Sequence, residues 1–225
     1  VGMPYADAEA AVRRDRAAEI DRQVRAPARL GRQLALLDPR HHVGFRTPVG
    51  AAIGAEPLAV IVLDVRQRDM GGPGGLDLEI ARGVREGWLE GPRMLAAGEV
   101  VCITGGHACF LGIEADGPDA VRAAVRKQLK SGCDLVKVIA TGGVITPGVE
   151  PGAAQMTPEE LRAACEEARK AGRLVAAHAQ GTEGIRNALL AGVATIEHGF
   201  FLDAETIGLM LARGSTLVPT FAAGQ

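Results

Sequence analysis

A chain of 225 residues with 47% hydrophobic and 23% charged side chains reads as an ordinary globular protein, long enough for one sizeable core or two small domains. A net charge of -2 gives nucleic acid and anionic membranes nothing to hold, and 3% aromatics leave too few rings to stack single-stranded bases. No run of about 18 apolar residues exists to span a membrane.

The first 37 residues are rich in Arg and Ala, and only Val12, Ile20, Val24, Leu30 and Leu34 could anchor them. A solvated, partly helical arm is the expectation for 1–37, with Asp7, Glu9, Asp15, Glu19 and Asp21 diluting any basic patch. The remainder, 38–225, is expected to form one domain. The first residues do not read as a signal peptide, and because a start on Val1 is read as processed or truncated, that absence carries little weight.

Apolar, β-branched runs then recur at residues 59–65, 100–104, 135–140, 174–178, 193–198 and 216–220. Segments of helical period lie between most of them: Leu76, Ile80 and Val84; Val121, Val125 and Leu129; Leu161, Cys165 and Ala168; Ile185 and Leu189; Ile207 and Leu211. Asp116-Gly-Pro, Thr157-Pro-Glu-Glu160 and Asp203-Ala-Glu205 are helix starts, and Gly132, Gly172, Gly192 and Gly214 mark helix ends. Strands apolar on both faces, alternating with helices, predict a parallel sheet covered by helices. The spacing suits a TIM-type (β/α)₈ barrel; an open doubly wound sheet is the alternative, although no Gly-x-Gly-x-x-Gly follows an early strand.

Four cysteines, Cys102, Cys109, Cys133 and Cys165, show no two-residue spacing and are read as reduced thiols, which favours a reducing, cytoplasmic compartment. The chemistry lies elsewhere. Lys137 sits alone in the apolar run Asp134-Leu-Val-Lys137-Val-Ile-Ala140, and His178 and His198 close the next two runs. Burying an amine is costly without a partner or a task. Carboxyl ends of barrel strands converge on one mouth, so the three side chains are expected to share it. A free ammonium would repel a cation there, but a carbamate made from neutral lysine and carbon dioxide would bridge two divalent ions. Each residue also has a duller reading: an edge lysine that reaches solvent, hydrogen-bonded core histidines, and tight turns at Gly105-Gly106 and Gly142-Gly143. Arg68 and Asp69 read as a structural ion pair at the mouth, Gln180 and Thr182 as a helix start. Strand alternation would turn Glu197 to the face opposite His198, in a structural role.

These residues resemble the amidohydrolase superfamily, in its imidazolonepropionase-related and prolidase-like dipeptidase branch. The resemblance covers about residues 58–225 and rests on Arg68-Asp-Met-Gly-Gly-Pro-Gly-Gly75, Gly91-Pro-Arg93 and Ile103-Thr-Gly-Gly-His107. It continues through Lys137-Val-Ile-Ala-Thr-Gly-Gly-Val-Ile-Thr-Pro-Gly148, Ala177-His-Ala-Gln-Gly-Thr182 and Thr195-Ile-Glu-His-Gly199. It implies a metal-dependent hydrolase of an amide such as a dipeptide or N-acyl amino acid, with Lys137 carboxylated and His178 and His198 holding the second ion. His107 would face the substrate near its carbonyl or the attacking water. Two divalent ions are implied, zinc first and manganese, iron or cobalt as alternatives.

Two departures bear on that expectation. The family's first-strand His-x-His has its nearest counterpart in Asp38-Pro-Arg40-His41-His42, where only His42 matches and Arg40 cannot ligate a metal. The aspartate of an eighth strand, and the family's small β-sandwich, have no counterpart before Gln225. The expectation is therefore a partial barrel in a truncated fragment, of which strands two to seven are recognisable. A lysine Schiff-base aldolase and a non-catalytic fragment remain as alternatives. Homo-oligomerisation is compatible with either.

Overall fold

The computed structural model describes residues 66–220, so the 1–37 arm, its boundary with 38, the run at 59–65 and the Asp38–His42 segment all lie outside the described residues. Residues 66–81 and 94–220 form one compact unit, and 82–93 belong to another. In that short piece the chain turns after the helix, with Trp88 and Leu89 donating their N–H groups to the Gly83 carbonyl at 2.8 and 3.1 Å.

Five expected strands appear: β3 (Val100–Cys102), β5 (Val136–Ile139), β6 (Val175–Ala179), β7 (Thr195–His198) and β8 (Thr216–Val218). Three were not legible. β1 (Arg66–Asp69) and β2 (Arg93–Ala96) form a separate two-stranded sheet, and β4 (Gly112–Glu114) edges the main one. All three are short: β1 is wholly polar (Arg-Gln-Arg-Asp), β2 offers only Met94, Leu95 and Ala96, and β4 only Ile113, so none shows a β-branched run. The main sheet has the order β4-β3-β5-β6-β7-β8, and every pairing in it is parallel.

The helices are α1 (Leu76–Arg85), α2 (Pro118–Ser131), α3 (Pro158–Lys170), α4 (Thr182–Ala191) and α5 (Ala204–Arg213). The starts of α3, α4 and α5 fall at the sequence signals, and α2 begins at Gly117-Pro118 without a side-chain cap, because Asp116 accepts from Thr104 instead. Thr157 and Glu160 close a capping box on α3, and Asp203 and Thr206 close one on α5. Gly132, Gly192 and Gly214 end α2, α4 and α5 in the left-handed conformation.

One face of the main sheet carries Val136, Val138, Val175, Ala177, Ala179 and Ile196 against Val121, Val125, Leu161, Ala164, Ile185 and Leu189 of the helices. At about 25 cal/mol per Å² of apolar surface, this layer is the principal favourable term holding the strands in register. Cys102 and Cys133 are buried and Cys165 half-buried; burial pushes these thiols up to about 12, 11 and 12, which leaves them inert packing groups. The opposite face of β5, β6 and β7 is different in kind, because polar Lys137, His178, Thr195 and Glu197 stand on it beside Ile139 and Ala176.

Candidate functional site

Register decides what that polar face presents. Lys137 pairs with Ala176, which pairs with Thr195; one pleat further on, Ile139 pairs with His178 and His178 with Glu197. Side chains two residues apart share a face. Lys137, His178, Thr195 and Glu197 therefore project to the same side, with Lys137 one layer deeper than His178 instead of level with it at a strand tip.

Glu197 corrects the sequence-based expectation. It lies on the Lys137 side, 4% exposed, paired with the guanidinium of Arg68 and accepting from Thr195 Oγ1 at 2.7 Å. Arg68 also donates to Thr195 Oγ1 at 3.1 Å. The ion pair at Arg68 thus runs to Glu197, whereas Asp69 accepts from the Gly71 N–H at 2.9 Å. Alternation alone would then turn His198 away. It does not, because His198 has φ 76°, in the left-handed region a non-glycine residue seldom occupies, and this swings its ring back. The ring centroids of His178 and His198 are 4.7 Å apart, and those of His107 and His178 are 4.4 Å apart.

His107 reaches this row from the loop between β3 and the turn at Cys109–Leu111. The loop between β5 and α3 packs over it. Gly143 lies against the ring: a Cβ there would overlap His107 Nε2, and one on Gly142 would overlap the Glu150 carbonyl. The Gly-Gly pair is thus needed for close approach, and not only for a turn.

Electrostatics follow from this packing. Lys137 is 5% exposed, and burial lowers its amine from 10.5 to about 8, with Glu197 opposing the shift and Arg68 adding to it. Burial lowers His107 to about 4, helped by the Lys137 ammonium. His178 is driven well below 6.5 by burial, then by Lys137 and the neighbouring imidazoles. All three shifts run toward the neutral forms, the forms that bind metals or carbon dioxide.

Among the described residues no group of three or more His, Cys, Asp and Glu side chains is placed to hold an ion. The candidate centre is instead two imidazoles over an amine, and its hydrogen bonds fit a metal. His178 Nε2 lies 2.9 Å from the Gly142 carbonyl. A carbonyl only accepts, so Nε2 carries the proton and Nδ1 keeps an open lone pair. Gly142 is itself held by a bond from Thr141 Oγ1 to its carbonyl at 2.8 Å, and the Gln180 N–H donates to Thr141 Oγ1 at 3.0 Å. Orienting partners of this kind are what a ligating histidine needs. Of the residues singled out in the sequence, Lys137, His178, His198 and His107 come together; His42 lies outside the described residues. Arg68, expected at the mouth, enters the same space with Glu197, whose place there and pairing with Arg68 sequence reasoning missed. Gln180 precedes α4 and is buried, consistent with a place at the helix start.

This alternation of strands and helices, with a lysine and histidines on one face of a parallel sheet, defines an amidohydrolase-type fold. The sequence pattern of the amidohydrolase family matches residues 68–223, and the chain belongs to that family. It is 33% identical to ochratoxinase of Aspergillus niger over 178 residues, covering 68% of this chain and 36% of that protein. A solved Xaa-Pro dipeptidase with methionine bound in its active site is 36% identical at a TM-score of 0.66, over 71% of this chain and 43% of that one. A putative prolidase from Bifidobacterium longum is 39% identical at a TM-score of 0.61, over 68% of this chain and 39% of its own. The α/β fold is that of a partial TIM-type barrel. The chain spans about two-fifths of the length of these relatives.

Proposed function

We propose that the site hydrolyses a carbon–nitrogen bond in a small amide, of the dipeptide or N-acyl amino acid kind, with divalent metal held by Lys137, His178 and His198. One observation carries this reading: three imidazoles in file above a buried lysine, the middle one with its Nε2 proton committed to Gly142. Bound metal, zinc before manganese, iron or cobalt, supplies Lewis acidity that polarises the amide carbonyl and acidifies a water.

The chain's own residues do the rest. At pH 7 an amine near pKa 8 is neutral about one time in ten, against about three in ten thousand at 10.5, so burial makes Lys137 roughly 300-fold more available to carbon dioxide. Carbamate formation would turn the amine into an anionic ligand. Arg68 holds Glu197 as a counter-charge beside it. His107, kept neutral, faces the space beside His178 where a substrate oxygen would lie. Outside the described residues, His42 completes the proposed ligand set. Relatives support the substrate class: one acts as a Xaa-Pro dipeptidase by its description, another is ochratoxinase.

The test is metal analysis of purified protein with hydrolysis of Xaa-Pro dipeptides. Wild type should hold about two divalent ions, and Lys137→Ala should lose both metal and turnover. Metal content unchanged by Lys137→Ala would overturn the assignment. A buried, lowered lysine also suits Schiff-base chemistry; borohydride trapping of a carbonyl substrate on Lys137 would favour that reading instead.

A further inference from the structure

His107 is held by more than its burial. Its Nδ1 is 2.9 Å from Thr146 Oγ1, and the N–H of the next residue, Ala108, donates to the same oxygen at 3.0 Å. Its own N–H donates to Gln155 Oε1 at 2.9 Å. Both partners come from the loop joining β5 to α3. Ala108 has φ 57°, a left-handed conformation without a glycine's freedom, so the backbone beside His107 needs such a clamp.

The donor and acceptor inventory narrows the arrangement. A threonine hydroxyl has one proton and two lone pairs. Ala108 takes one lone pair. Among the described residues no other acceptor is assigned to the Thr146 proton, so the arrangement that uses it points the proton at His107 Nδ1. The ring proton then sits on Nε2, and Gly143, with no Cβ, packs over the ring face at that edge.

We propose that Thr146 is a positioning residue that fixes His107 as the Nε2–H tautomer, so that the ring presents a neutral hydrogen-bond donor to a carbonyl or carboxylate oxygen of the substrate. This deepens the hydrolase reading and rests on it for its consequence, though not for its geometry. The β5–α3 loop therefore contributes to substrate recognition through His107 as well as by covering it.

The experiment compares wild type, Thr146→Val and Thr146→Ser in two readouts: ¹⁵N NMR of labelled histidine, and kcat and KM on a Xaa-Pro dipeptide with metal content measured alongside. Expected in wild type is a pyridine-like Nδ1 and a pyrrole-like Nε2 for His107. Thr146→Val, which keeps the shape and drops the hydroxyl, should mix the tautomers and lower kcat/KM about 10- to 100-fold at unchanged metal content. Thr146→Ser, which restores the hydroxyl, should restore both. A wild-type His107 protonated on Nδ1, or a Thr146→Val protein with unaltered tautomer, would overturn the inference. A tautomer that follows the hydroxyl in a protein without hydrolysis or metal would sustain the positioning role while removing the hydrolase reading.

Discussion

A residue retained for chemistry at the expense of the fold should show that cost when replaced, and Lys137 allows the cost to be worked out. Its amine falls from 10.5 in an unfolded chain to about 8 in the folded one. At ~1.36 kcal/mol for each tenfold change, carrying the charge in the folded state costs about 3 kcal/mol. The sign is set by the base: below pH 8 both states are protonated and the whole penalty applies. It shrinks as pH rises from 8 to 10.5, because the unfolded chain then binds more protons than the folded one, and it vanishes above. Lys137→Met, similar in length and uncharged, removes this penalty, which is already net of the attraction to Glu197. A gain of about 3 kcal/mol at pH 7 is expected for metal-free protein. Urea unfolding of chelator-treated wild type and variant, followed by far-UV circular dichroism at pH 7 and pH 10, measures the difference. A Lys137→Met protein no more stable than wild type at pH 7, or a gap that does not narrow at pH 10, would refute the argument.

Two other perturbations test the frame around the site. Arg68→Met strands the carboxylate of Glu197, which is 4% exposed, and should cost about 2–3 kcal/mol, below the fully buried range because Arg68 is itself partly exposed; adding Glu197→Leu should recover part of the loss in thermal melts. Asp77, buried with its carboxylate on the Gly98 N–H at 2.8 Å, is raised from 3.8 to about 6 by burial. An acid raised in this way destabilises increasingly between pH 3.8 and 6 and fully above, so Asp77→Asn should gain about 1–2 kcal/mol at pH 7 and almost nothing near pH 4, read as the shift in melting temperature at each pH.

Much of this molecule was legible in its residues before any geometry. Hydrophobic period, capping boxes and terminal glycines act within a few residues, so α2 to α5 and strands β3 and β5 to β8 could be read locally. Lys137, His178 and His198 were equally legible, since a charged or imidazole group in an apolar run has a high desolvation cost and stands out. The short strands β1, β2 and β4 left no such trace, because β1 is wholly polar and β2 and β4 have too few β-branched residues to stand out as runs.

Only the tertiary structure decided which side each group faces. Simple alternation put Glu197 and His198 on opposite faces; one left-handed residue at His198 brought both to the Lys137 side, and a long-range ion pair gave Glu197 its partner in Arg68. The contacts of Thr146 and Gly143 with His107 were invisible for the same reason. Sequence period describes where a side chain points relative to its own strand, whereas a site is made of distances between strands, and those follow from register, loop packing and a single backbone angle.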